Sequence, residues 1–193
     1  MDIPIARPAD STEGSSIMHA VTIGFVNDPV VRYMWPDPKT YLTMMPQFAM
    51  AYGGKSLSHA SAYTIGDYSG AALWLPPGVQ PDEEKFNPIL ESIEENKRAE
   101  LGEALERLDD FHPKEPHWYL TLIAVDAYQQ GQGFGSMLMK HALKRCDEDG
   151  KMAYLESSNP RNISIYERHG FEVMGEVKVG EFPVFTPMFR QPN

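Results

Sequence analysis

The chain has 193 residues, 17 of them basic and 27 acidic, and a formal net charge of −10. This length suits one domain with a sizeable core, and the acidic excess argues against nucleic acid and anionic membranes as partners. No stretch approaches the roughly 18 consecutive apolar residues of a membrane span, and no signal peptide opens the chain. We therefore expect one cytoplasmic domain over residues 1–193. No His/Cys cluster has metal-ligand spacing, so we expect no metal site. The single cysteine, Cys146, is predicted to be a structural thiol.

The first third of the chain predicts a short strand followed by helices. Residues 3–8 form the predicted strand, and Asp10–Glu13 carries the capping residues of a helix start. Proline-containing segments at 27–29 and 35–38 are predicted to break the chain and to leave an aromatic-rich loop between them. A further helix is expected over 41–51.

The middle third predicts a hairpin followed by an acidic helix. Residues 60–65 and 70–75 are the predicted strands, joined by a turn at 66–69. From Asn87–Pro88, interpreted as a cap and first-turn pair, apolar residues recur at helical spacing as far as Leu108. The acidic face of this helix is expected to face solvent.

A strand, a glycine loop and a helix follow one another in the second half of the chain. Trp118–Val125 is an apolar, β-branched run that predicts a buried strand. The loop Gln130–Gly135 has glycines at 131, 133 and 135, and an amphipathic helix is predicted from Gly135 to about residue 149. A helix N-terminus attracts anions through its free N–H groups and its dipole, and glycine lets a ligand approach the backbone. This order favours a pyrophosphate-bearing cofactor; the alternative is a tight turn that needs glycine only for its backbone angles.

Three classes of cofactor are typically bound by such a glycine-rich loop. A nucleotide-binding P-loop would need Gly-Lys-Ser/Thr at its end, and here Gly133 is followed by Phe134 and Gly135. A dinucleotide fingerprint would need a glycine where Ser136 stands, although Glu156 lies roughly 20 residues further on, where a ribose-binding acid would sit. A dinucleotide-binding oxidoreductase therefore stays as one alternative. The third class is coenzyme A.

The pattern Gln130-x-x-Gly133-x-Gly135 resembles the QxxGxG signature of GNAT-type N-acetyltransferases, whose loop wraps the CoA pyrophosphate. The resemblance continues through Leu155–Asn162, Ile165–Arg168 and His169–Phe171, and looks closest to the branch that includes puromycin N-acetyltransferase. It covers about residues 112–178 well and the N-terminal half in outline.

The resemblance implies an α/β (α+β) fold with a mixed, mostly antiparallel central sheet of six or seven strands and helices on both faces. Two parallel strands, at about 117–125 and 152–156, would splay apart, and the early helices would form one wall of the acceptor site. It also implies acetyl-CoA-dependent transfer to a small-molecule primary amine by direct attack in a ternary complex. A non-catalytic acyl-CoA-binding module is a second alternative, and a homodimer stays open.

The resemblance also assigns roles to individual residues. Tyr166 matches the family's general acid, with a packing role as its alternative. Glu156 would act as the base through a water, with His117 and Tyr119 as alternates. The residues expected to contact acetyl-CoA are Ile123, Ala124, Val125, Gln130, Gly131, Gln132, Gly133, Phe134, Gly135, Ser136, Asn159, Asn162 and Tyr166.

Overall fold

Seven strands form one mixed sheet in the computed structural model, which describes residues 4–193. The spatial order is β1-β2-β3-β4-β5-β7-β6. The strands are β1 (Ala6–Pro8), β2 (Ala62–Ile65), β3 (Gly70–Leu75), β4 (Trp118–Val125), β5 (Ala153–Ser157), β6 (Glu172–Val173) and β7 (Thr186–Arg190). β4 and β5 run parallel, and the other neighbouring strands pair antiparallel. The predicted sheet and its parallel pair are confirmed; residue 3 of the predicted first strand lies outside the described residues.

Helices cover both faces of this sheet. They are α1 (Gly14–Gly24), α2 (Pro29–Met34), α3 (Pro38–Gly53), α4 (Lys55–Ser58), α5 (Glu83–Leu90), α6 (Glu95–Asp109), α7 (Phe134–Glu148) and α8 (Ile163–Glu167). The apolar side of α7, including the buried Cys146, packs on one face, while α1 and α3 pack together on the other. None of the described helices is long and apolar enough to cross a membrane.

The Asp-Pro pairs that were predicted to break the chain instead begin helices. The Asp28 carboxylate accepts hydrogen bonds from the N–H groups of Val30 and Val31, with Pro29 at the first helical position. Asp37 caps α3 in the same way. Proline suits this position because its missing N–H would have no partner there. The predicted aromatic-rich loop is therefore wrong, and Tyr33 lies within α2.

The predicted helix start at Asn87–Pro88 is also wrong. That pair lies inside α5, which begins after the cap residue Asp82. The acidic segment consists of two helices, because α5 ends at Leu90 and α6 begins only at Glu95. These helices, together with α2 and α3, cover the sheet face where the candidate site lies.

Candidate active site

The parallel strands β4 and β5 separate at the centre of the sheet. They pair at Trp118–Ala153, Tyr119–Tyr154 and Leu120–Leu155, and the pairing ends there although both strands continue. On the other side of β4, Leu120 pairs with Trp74 and Leu122 with Leu73, so Thr121 is an extra residue. Such a bulge bends the strand and disrupts the local pairing. The result is a gap between β4 and β5, as the resemblance implies.

Backbone groups of β4 face this gap. The Asp126 N–H donates to the Ser69 carbonyl at 2.9 Å, toward β3. Because backbone groups alternate in direction along a strand, those of Ile123 and Val125 point the opposite way. The Val125 carbonyl accepts a hydrogen bond from the Gln130 side-chain amide at 3.1 Å. This contact ties the glycine loop to the strand and leaves the Ile123 N–H facing the gap.

A cavity of about 480 Å³ lies between the gap and the N-terminus of α7. Gly131 and Gly133 have φ values of +79° and +85°, and a β-carbon on either would meet no atom within 4 Å. The first N–H groups of α7 have no carbonyl partner within their own helix. Arg161 and Arg168 also line the cavity. Free N–H groups, open glycines and two guanidinium groups together suit a phosphate-bearing ligand.

Most of the predicted cofactor-contact residues line this cavity. They are Ile123, Ala124, Val125, Gln130, Gly131, Gly133, Phe134, Gly135, Ser136, Asn162 and Tyr166. Gln132 and Asn159 do not line it: the Gln132 amide donates to Gln129 at 3.0 Å, and the Asn159 side chain accepts from the Arg161 N–H at 3.1 Å. No local sequence pattern marked the two arginines, since only the folded chain brings the residues that flank α8 beside the loop.

Tyr166 lies on α8 where this cavity meets a second one. Its side chain is buried beside Phe171, and it lines both cavities together with Ile123 and Asn162. The Tyr166 hydroxyl has no hydrogen-bond partner among residues 4–193. Burial, followed by the nearby Asp28 carboxylate, raises the pKa of Tyr166 above its ordinary value. The hydroxyl is therefore a protonated donor free to bond a ligand.

Glu156 also lines the second cavity and is surrounded by tyrosine hydroxyls. Its carboxylate accepts from Tyr119 at 2.8 Å, Tyr154 at 3.1 Å and Tyr52 at 3.3 Å. The hydroxyls of Tyr52 and Tyr119 also bond each other. Burial and then the Glu156 charge raise the pKa of both well above its ordinary value, so they remain donors. A carboxylate held by several donors keeps one orientation and stays an acceptor for a further group.

Two histidines border the Glu156 cluster. The Nδ1 atom of His112 lies 3.6 Å from a Glu156 carboxylate oxygen, and the His112 and His117 rings are 4.9 Å apart. His117 is buried rather than on the surface, and burial lowers its pKa. Sequence analysis missed His112, because it precedes β4 in a segment without a motif.

The second cavity is otherwise mostly apolar. Its apolar lining comes from Phe25, Val30, Val31, Met34, Phe48, Phe86, Leu101, Leu105, Leu120, Leu122, Ile123, Leu155 and Phe185. Its polar lining comes from Tyr52, Tyr119, Thr121, Glu156, Ser158, Asn162 and Tyr166. Residues of α2 and α3 contribute one wall, as the resemblance implies for the early helices. The two cavities thus meet at Ile123, Asn162 and Tyr166, which line both.

A family model described as the acetyltransferase (GNAT) family matches residues 83–171. A curated N-acetyltransferase from Schizosaccharomyces pombe is 27% identical over 164 residues, which cover 76% of this chain and 66% of that protein. The chain thus spans just under two thirds of that relative's length.

Solved structures share the whole architecture. A histone acetyltransferase HPA2 and related acetyltransferase from Corynebacterium glutamicum has a TM-score of 0.69 at 23% identity, covering 98% of this chain and 97% of that one. Arylalkylamine N-acetyltransferase 2 from Aedes aegypti has a TM-score of 0.69 at 13% identity, with 100% of both chains covered. The two sequence matches show that the chain is similar in sequence to GNAT acetyltransferases. The solved structures show that it has the GNAT fold.

Proposed function

We propose that the protein is an acetyl-CoA-dependent N-acetyltransferase that transfers an acetyl group directly to the primary amine of a small molecule. One observation carries the proposal. A cavity suited to a phosphate and a mostly apolar cavity containing a carboxylate meet at Ile123, Asn162 and Tyr166. A thioester in one cavity and an amine in the other would therefore meet at these residues, as direct transfer requires.

The cavity at α7 is the proposed acetyl-CoA site. CoA is highly anionic and the chain carries a net charge of −10, so binding needs a local source of positive potential. The α7 N-terminus, Arg161 and Arg168 supply it. Acetyl-CoA, when bound, provides an activated thioester.

Glu156 is the proposed base. An amine with a reference pKa of about 10.4 costs roughly 4 to 5 kcal/mol to hold neutral at pH 7. The Glu156 carboxylate, oriented by its tyrosine donors, would take the proton through a water. Its neighbour His112, with a side chain 22% exposed, connects this buried group to the surface.

Ile123 and Tyr166 are the proposed stabilisers of developing charge. The Ile123 N–H would donate to the oxygen that becomes negative as the amine attacks, an interaction that contributes about 3 kcal/mol in comparable sites. Tyr166 would protonate the departing thiolate, whose reference pKa is near 8.5. Burial raises the pKa of Tyr166, so its hydroxyl keeps the proton that this step requires.

The geometry disfavours the dinucleotide alternative. Glu156 would have to reach a ribose beside the glycine loop, but it is bonded within the tyrosine cluster and does not line the cavity at α7. The non-catalytic alternative predicts acyl-CoA binding without turnover.

A thermal-shift comparison with acetyl-CoA, CoA, NAD and NADP tests the proposal. A ligand at about 100 times its dissociation constant adds roughly 2.7 kcal/mol, which raises the melting temperature of a chain this size by about 5 to 11 °C. We expect this shift with acetyl-CoA and CoA, and thiol release when amines are added, starting with aminonucleosides. A shift with NAD(P) alone would refute the proposal, and a shift with acetyl-CoA but no release with any amine would favour the binding module.

A further inference from the structure

The second cavity, which the proposed function makes the acceptor cavity, has one charged side chain and an otherwise mostly apolar lining among the described residues, and this restricts the kind of amine that it can hold. We propose that the acceptor is a primary monoamine with an aromatic or alkyl body, and that free diamines and lysine side chains in peptides are poor acceptors. This inference rests on the proposed function and concerns the same site.

The charged end is Glu156. It is the single charged side chain among the residues between 4 and 193 that line the cavity, and it is 10% exposed. The tyrosine hydroxyls around it donate to the carboxylate, so its negative charge is shared but not neutralised. One ammonium group arriving from solvent therefore finds one anionic partner.

Aromatic rings cover the wall beside this end. Phe48 stacks on Tyr52 with ring centres 5.4 Å apart, and Phe86 lies 5.5 Å from Phe48 and 5.7 Å from Tyr52. Their faces suit the apolar body of a ligand, and an ammonium close to Tyr52 would gain a cation–π contact as well. The carbon skeleton of the amine would pack on these rings while its nitrogen approaches Glu156.

A second ammonium would have no anionic partner among the other described residues that line the cavity. The cavity lining also includes valines of α2 and two leucines of α6, Leu101 and Leu105. Asp28, a buried carboxylate on this side, does not line the cavity and already accepts from Val30, Val31 and Ser158. A second cation, or the polar backbone of a lysine-containing peptide, would lose its hydration without compensation.

Acetylation rates for matched amines test this directly. With saturating acetyl-CoA, we expect kcat/KM to rise about fourfold for each methylene from propylamine to hexylamine, the ratio for burying one CH₂ group. We expect 1,6-diaminohexane to be at least about 100-fold poorer than hexylamine because its second ammonium loses its hydration. The lysine side chain of a blocked dipeptide should also be poorer than hexylamine.

Variants at Leu105 test the charge argument. Leu105 is half-buried on the cavity wall, so it tolerates a polar group better than a fully buried leucine. Leu105→Glu would add a second carboxylate, and Leu105→Gln is its uncharged control of the same size. We divide kcat/KM for diaminohexane by kcat/KM for hexylamine in each variant. This ratio should be at least about tenfold higher in Leu105→Glu than in Leu105→Gln, because one buried ion pair can strengthen binding by more than tenfold.

The outcomes separate the two proposals. Acetyl transfer that is independent of chain length, or that prefers the diamine or the dipeptide, would overturn the monoamine assignment and leave the acetyltransferase intact. Absence of transfer to any amine, despite a thermal shift with acetyl-CoA, would refute the proposed function and the acceptor class with it.

Discussion

Replacing Tyr166 with phenylalanine isolates the proposed proton donor from its packing role. The substitution removes one oxygen and keeps the ring against Phe171. Because the hydroxyl bonds no group among residues 4–193, its loss breaks no hydrogen bond within the described structure. We expect the free energy of unfolding to change by less than about 0.5 kcal/mol, or roughly 2 °C in melting temperature.

The rate should change far more than the stability. A positioned general acid contributes about 10²- to 10⁴-fold, so we expect kcat of Tyr166→Phe to fall by that factor. The assay is release of free CoA thiol with both substrates saturating, and single-turnover measurements separate the transfer step from product release. Acetyl-CoA binding, measured by thermal shift, should change little.

Tyr63→Phe is the matched control. Tyr63 is also a buried tyrosine, but it lies on β2 in the core under α7 and lines neither cavity. Its variant should keep the wild-type rate. The reasoning fails if Tyr166→Phe keeps more than about a tenth of the wild-type rate, or if it loses stability in proportion to activity.

Three further predictions follow from other parts of the site. Glu156→Gln should lower kcat/KM for the amine by about 10²- to 10⁴-fold at pH 7. This kcat/KM should recover toward pH 9.5, because each pH unit raises the fraction of neutral amine about tenfold. A constant deficit across a rate–pH profile would contradict the base assignment. Gly133→Ala should lower the free energy of unfolding by about 1 to 2 kcal/mol because φ is +85°. It should also weaken acetyl-CoA binding because the new methyl faces the cavity. Gly102→Ala in α6, at an ordinary helical φ with open space around it, should stabilise the fold and leave binding unchanged, and equal binding by the two variants would argue against the glycine-loop site. Burial lowers the pKa of His117 in the folded chain. Below about pH 6.5 the unfolded chain therefore binds more protons than the folded chain, and the free energy of unfolding should fall as pH falls. Urea titrations at pH 7.5 and 5.5 should show a smaller loss of this free energy in His117→Gln than in the wild type.

Local patterns in the sequence were enough to locate β4, the glycine loop and α7. The bounds of β4 match those predicted, because an apolar, β-branched run of this length between a proline and an aspartate typically forms a buried strand. Local sequence patterns did not predict the structure around the Asp-Pro and Asn-Pro pairs correctly. Asp28–Pro29 begins a helix and Asn87–Pro88 lies within one, and neighbouring residues alone do not distinguish these cases.

The proposed catalytic residues come together through contacts between distant segments. Tyr52 lies 104 residues before Glu156, and no periodicity links them or marks His112 as their neighbour. The bulge at Thr121 likewise follows from how β4 pairs with β3, and it is what opens the gap to β5. The sequence by itself determined the proposed anion-binding loop, since a helix N-terminus and its glycines are local features. The proposed acceptor cavity, with one carboxylate among the described residues that line it, was decided only by tertiary packing, because side chains from five helices and two strands must meet to enclose it.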